Sequence, residues 1–347
     1  MRYVDQLLDD VRAQIEPDRA VVDEALRRRA LCLDAAASFA GSVDIFGSGS
    51  LAHGTAICPI HKRDKGLDAD GTTVLDQRAW PSLGPETAIN EPPDRVVELY
   101  RQHIEAKVRA AGYPRATVTV TKRAILVRFH SPLPCGEDPT VDVVLGLTRS
   151  QGGIWIPNTD QHRWDPSDPK THTRLLNDVA KELRVARART IRLAKAENKR
   201  TDPPALCSFN IEALAWMFVP TAMPLPESLL TLWENGAADL RARLTPDPAR
   251  VSKPIKVADR DAAVKRWEDA SWRLGQALRP GQTDRAIRDL LHPLWPEYVA
   301  DDPSQTPARR AATAAAIRSG RSLYPAAAGG FALAGAAAFK TVRSYGS

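Results

Sequence analysis

The sequence predicts an α+β protein of two lobes, and three observations predict it. Up to about residue 150 short apolar runs with strand character alternate with helical periodicity; from about 151 to 300 the helical period dominates; beyond 301 the chain turns to Ala, Arg and Gly. At 347 residues it exceeds what one hydrophobic core usually serves, and its 43% hydrophobic content can fill two. The expected division is 1–150 as the first lobe with N-terminal helices, 151–300 as a helical lobe, and 301–347 as an Ala/Arg/Gly-rich, partly disordered tail.

Each element follows from a local signal. Val21, Val22, Ala25, Leu26, Leu31 and Leu33 recur at helical spacing and predict a helix over 17–40. Val43, Asp44, Ile45 and Phe46 read as a strand, which Gly47-Ser48-Gly49-Ser50 interrupts. A basic loop follows at 58–66, and the stretch from 70 to 94, rich in Pro and Gly, reads as irregular. A helix is expected over 96–111, ended by Gly112 and Pro114, then strands over 116–121, 124–129 and 141–147. The last is almost wholly apolar, as a strand covered on both faces is. Residues 151–169 read as a loop. Helices are expected at 171–199, 208–219, 227–244, 258–278 and 282–291.

Composition narrows the setting. A formal net charge of +6 and a pI near 9.2 suit an anionic partner such as a nucleoside triphosphate or nucleic acid. The four cysteines, Cys32, Cys58, Cys135 and Cys207, are scattered without zinc spacing, as reduced thiols are. No apolar core of a signal peptide stands in 1–16, and the stretch 326–339 is too short and too broken by glycine to span a bilayer. A cytoplasmic protein without membrane contact is expected.

The chemistry is carried by three acids and a turn. Asp68 and Asp70, one residue apart on an extended segment, point the same way; Asp142 sits inside Val141-Asp142-Val143-Val144-Leu145. A carboxylate buried in such a run costs several kcal/mol, about the scale a paired arginine or a bound cation can offset. Three carboxylates are the donor set of hard divalent cations. The turn is neither a P-loop, since Gly-Lys-Ser/Thr is missing, nor Gly-x-Gly-x-x-Gly, since Ala52 stands at the last glycine. Its glycines let the backbone approach a phosphate, with Ser50 and exposed N–H groups as donors. Wound as one helix, 171–199 gathers Lys181, Arg184, Arg192, Lys195 and Lys199 within a sector of about 80°. Ser208 opens the next helix, as an N-cap or a phosphate contact. His53 and His172 are expected to have structural roles.

The order Gly49-Ser50, Gly54-Thr55, Asp68-Ala69-Asp70 and then Asp142 in an apolar strand resembles the polymerase-β-like nucleotidyltransferases. His172-Thr173-Arg174-Leu175-Leu176-Asn177, Ile191-Arg192-Leu193-Ala194-Lys195 and Cys207-Ser208-Phe209-Asn210-Ile211-Glu212-Ala213-Leu214 resemble the cGAS/DncV-like enzymes (CD-NTases) of bacterial antiphage signalling, over about residues 40–220. The resemblance implies a catalytic lobe with a mixed sheet and an oligoadenylate-synthase-like helical lobe. It implies that Asp68, Asp70 and Asp142 are the catalytic and metal-binding triad for two Mg²⁺ ions, with Mn²⁺ as a substitute. Gly49, Ser50, Lys195 and Ser208 would contact the triphosphate of a nucleoside triphosphate substrate. It further implies a cyclic di- or trinucleotide second messenger in antiviral defence, and partner proteins that regulate the enzyme or conjugate its C-terminus at Tyr345-Gly346-Ser347. A linear nucleotidyltransferase acting on RNA or protein, and a non-catalytic nucleic-acid-binding scaffold, stay open as alternatives. The sequence departs from the family pattern in the long basic loop at 58–67 and in Gly71-Thr72-Thr73, which replaces an apolar strand after Asp70.

Overall fold

The computed structural model describes residues 2–59, 66–201 and 203–299; the expected tail and most of the basic loop lie outside the described residues. The chain begins in the second lobe. Helix α1 (Tyr3–Ile15) repeats Val4, Leu7, Leu8, Val11 and Ile15 along one face, and that face is buried in the core of the helical lobe. Pro17 ends it. Helix α2 (Arg19–Ala37), capped by the Asp18 carboxylate accepting from the Ala20 N–H at 2.8 Å, crosses to the sheet.

The sheet is built from β1 (Ser42–Ser48), β2 (Asp68–Leu75), β3 (Thr117–Val120), β4 (Ile125–Arg128), β5 (Thr140–Thr148), β6 (Ile154–Asn158) and β7 (Arg163–Ser167). Its order is β1-β2-β5-β4-β3, with β6 paired to the end of β5 and β7 to β6. Only β2 and β5 run parallel; the other pairs are antiparallel, which makes the sheet mixed. One face carries α2 and α4 (Asp94–Ala110), packed over Val141, Val143, Leu145 and Leu147 through Tyr100, Ile104 and Val108. The short α3 (Gly49–Ala52) follows β1 directly.

Two expectations are corrected here. Residues 68–75 form a central strand, and Gly71-Thr72-Thr73 is part of it: β-branched threonine suits a strand, and both threonines are fully buried. The Thr73 hydroxyl bonds the Tyr100 hydroxyl at 2.8 Å, and a Cβ at Gly71 would meet Leu33 of α2 at 2.9 Å. Glycine there permits close helix–sheet packing and does not break the strand. The stretch 151–169, expected as a loop, contains the β6–β7 hairpin, whose Trp164 is buried in the sheet-lobe core.

The helical lobe comprises α5 (Pro169–Asn177), α6 (Lys181–Asn198), α7 (Ser208–Phe218), α8 (Leu225–Ala242), α9 (Arg260–Ala277) and α10 (Asp284–Leu291). The expected helix 171–199 is therefore two, split where Asp178 leaves helical geometry. Its basic stripe does not survive as one surface. Lys181 and Arg184 are exposed, Arg192 pairs with Glu16 at 2.6 Å, and Lys195 is buried. The lobe's core centres on Trp233, Trp267 and Trp295, which α1 helps to enclose. Among the described residues no helix is long and apolar enough to cross a membrane.

Candidate active site

Strand alternation puts Asp68 and Asp70 on one face of β2, the face turned away from α2 and α4. β5 runs alongside with Thr140 beside Asp68 and Asp142 directly beside Asp70. The backbone register thus brings together three acids that are 74 residues apart at the extremes, Asp68 to Asp142. Asp70 and Asp142 are buried, at 8% and 4% exposure. The Asp68 carboxylate accepts from the Thr140 hydroxyl.

The turn closes against this face. Ser48, last in β1, stands opposite Asp70, and its hydroxyl lies 3.3 Å from that of Thr72. Gly49 then takes φ +68°, and a Cβ there would collide with the Asp70 carboxylate. No other residue type fits both that backbone and that contact. Ser50 follows, half-buried, its carbonyl accepting from the Thr55 N–H at 2.8 Å. Beneath the turn, on the α2 side, the Arg29 guanidinium lies against Gly47. Burial lowers its pKa, and the charge of Asp70 opposes that drop.

The residues present suit divalent cations in donor chemistry, since all three are hard oxygen ligands on one sheet face with two of them in register. Among the described residues, however, no three His, Cys, Asp or Glu side chains stand close enough together to enclose an ion as they are. The Asp68 carboxylate is engaged by Thr140 and that of Asp70 is turned to Gly49, so a shared ion requires them to rotate about their side-chain bonds.

On the helical side, the expected triphosphate contacts part company. Ser208 is exposed at the first position of α7; Cys207 holds the cap position without a side-chain cap bond, so Ser208 is not the N-cap. Lys195 is only 2% exposed, and its Nζ donates to Glu212 at 2.6 Å and to the Thr55 hydroxyl at 3.1 Å. Glu212 was not singled out from the sequence, although the signal was there. It is a lone charge in the apolar helix Phe209-Asn210-Ile211-Glu212-Ala213-Leu214-Ala215, the same anomaly that drew attention to Asp142. Burial opposes its ionisation, but the charges of Lys195 and His53 outweigh that and hold it well below the usual carboxylate range. Neither histidine reaches the acids: His53 bonds Glu212 and Thr173, and His172 bonds Asp247 at 2.7 Å. A groove of about 390 Å³ lies elsewhere, on the helical lobe between Glu182, Val185, Arg189, Met223 and Leu225.

No protein-family profile and no curated protein sequence matches the chain. Solved structures do. The Bradyrhizobium diazoefficiens CD-NTase CdnG in complex with GTP superposes with a TM-score of 0.62 at 13% identity, covering 90% of this chain and 97% of that one. CdnC from E. coli MS115-1 with ATP gives 0.63 at 14% identity over 85% and 98%. The Vibrio cholerae cyclic AMP-GMP synthase DncV, bound to the linear intermediate pppA(3′,5′)pG, gives 0.56 at 11% identity over 86% and 88%. The fold, a mixed sheet followed by a helical lobe, is thus shared over nearly the whole described chain, and it is that of the CD-NTases, as the motifs implied.

Proposed function

We propose that the chain is a nucleotidyltransferase that joins nucleoside triphosphates into a cyclic oligonucleotide, a second messenger of antiviral defence. The observation that carries the reading is the register of Asp70 with Asp142 on the open sheet face, with Gly49 pressed against Asp70 at the adjoining turn. Two carboxylates side by side on one sheet face are a donor pair that a hard divalent cation fits.

Asp68, Asp70 and Asp142 would hold Mg²⁺, or Mn²⁺ in its place; bound there, the ions supply Lewis acidity to an acceptor hydroxyl and neutralise triphosphate charge. Gly49 and Ser50 bring backbone and hydroxyl donors to the donor nucleotide from the sheet side, and exposed Ser208 does so from α7. Lys195 reaches a phosphate only by releasing Glu212. The acceptor ribose oxygen forms a bond to the α-phosphorus as the bond to pyrophosphate breaks, and Asp142 would take the hydroxyl proton. A second round within the linear product closes the ring.

The test is the mass spectrum of products formed from the four ribonucleoside triphosphates with Mg²⁺. A cyclic product that disappears in Asp70→Asn is expected. Linear products alone would favour transfer to RNA or protein, and no product from any combination would overturn the assignment.

A further inference from the structure

The segment that follows the turn crosses from the sheet lobe, where Ala56 is buried, to the helical lobe. After α3, Ile57 and Cys58 are buried in the core of the helical lobe, and the Cys58 N–H donates to the Ile15 carbonyl at 2.8 Å. At the crossing point stands Glu212. One of its oxygens faces His53 Nδ1 at 2.9 Å; the other accepts from the Thr55 hydroxyl at 2.5 Å and from Lys195 at 2.6 Å. His53 Nε2 continues to the Thr173 hydroxyl of α5 at 3.0 Å, and Asn177 of α5 donates to the Ala52 carbonyl at 2.8 Å. Thr55 in turn is bonded to the Ser50 carbonyl. Glu212 therefore connects α7, α6 and α5 with the residues immediately after Gly49-Ser50.

We propose that Glu212 is a positioning residue of the nucleotidyl-transfer site: it clamps the Gly49-Ser50 turn to the helical lobe through His53 and Thr55, and keeps Lys195 in reserve beside the turn. This rests on the function proposed above. A carboxylate that touches no reacting atom can do this because its partners come from two places, His53 and Thr55 from the segment after the turn and Lys195 from α6, so its charge sets their mutual spacing. Misplacing a turn by an ångström is enough to cost about 100-fold in rate. The ionised form is the one that binds all three donors at once.

Glu212→Gln keeps the shape and loses the charge. Amide hydrogen exchange is expected to accelerate at least about tenfold over 49–57, while β2 and β5 keep their protection. The turnover number should fall at least about tenfold with the KM for nucleoside triphosphate changed less than about threefold, the split expected when orientation and not ground-state binding is lost. Thr173→Val, which removes only the outer contact of His53, should act in the same direction to a smaller degree, and it stands in should Glu212→Gln not fold. Unchanged exchange over 49–57 in the folded variants would overturn the clamp. So would a tenfold rise in KM with an unaltered turnover number, the mark of a direct ligand. Exchange decides the clamp without reference to catalysis, so a parent chain that makes no product counts against the proposed function alone.

Discussion

Buried acids occur in both lobes, in two different kinds of company. In the sheet lobe Asp70 lies beside another acid, Asp142, with Asp68 two residues away on the same face. In the helical lobe Glu212 lies between Lys195 and His53, and Asp247 accepts from His172 and from the N–H groups of Ala249, Val251 and Ser252. The second arrangement is complete within the chain: every charge has an opposite or a donor of its own. The first puts carboxylate beside carboxylate on one sheet face, the arrangement a divalent cation fits. A buried carboxylate is thus informative about function only through what faces it.

Four substitutions sharpen or break that contrast. Glu212→Leu should cost the most, about 3–5 kcal/mol, because Lys195 is left as a buried charge without its partner; chemical denaturation measures it, and a loss under 1 kcal/mol would put Glu212 in the same class as the sheet acids. Asp70→Asn should lower transfer by about 100-fold to 1,000-fold, on the scale of removing an electrostatic contact to the transition state, while Tm stays within about 3 °C. A large fall in Tm would make Asp70 structural. Gly49→Ala should reduce transfer about tenfold and cost about 1–2 kcal/mol, from the left-handed backbone and the collision with Asp70.

The fourth substitution concerns pH. Burial opposes ionisation of Asp247, but the hydrogen bonds from His172 and the Ser252 N–H hold its pKa below the usual range. A depressed carboxylate contributes stability that is fully present above its unfolded pKa of about 3.9 and disappears as pH falls through the folded value. Asp247→Asn should therefore be less stable than the parent by about 1–3 kcal/mol at pH 7, with the gap closing only below about pH 4. A gap that is constant down to pH 2 would remove the charge from the account.

Much of the site could be read in advance, because its signals are local. Asp142 in an apolar run, the alternation of Asp68 with Asp70 and the glycine break after Phe46 are each visible within a few residues. What could not be read depended on partners far along the chain. Thr72 and Thr73 look polar until Tyr100 and the flanking strands supply their neighbours. The basic stripe of 171–199 assumed one continuous helix, and the break at Asp178 together with the burial of the second half of α6 removed it. Glu212 reads as one polar residue of an apolar helix until Lys195 and, far along the chain, His53 and Thr55 supply its partners.

The placement of α1 carries a consequence for how the protein is made. Its partners include α10 and the segment beyond, with Arg288 donating to the Tyr3 hydroxyl at 3.1 Å and Gln14 to the Tyr298 carbonyl at 3.3 Å. The packing of α1 is therefore completed only by nearly the last described helix, after everything between them has been synthesised. Closing a loop that long is slow and leaves part of the apolar side of α1 bare until then. The sheet lobe can assemble in that interval, so the helical lobe is finished last, when α1 and α10 meet.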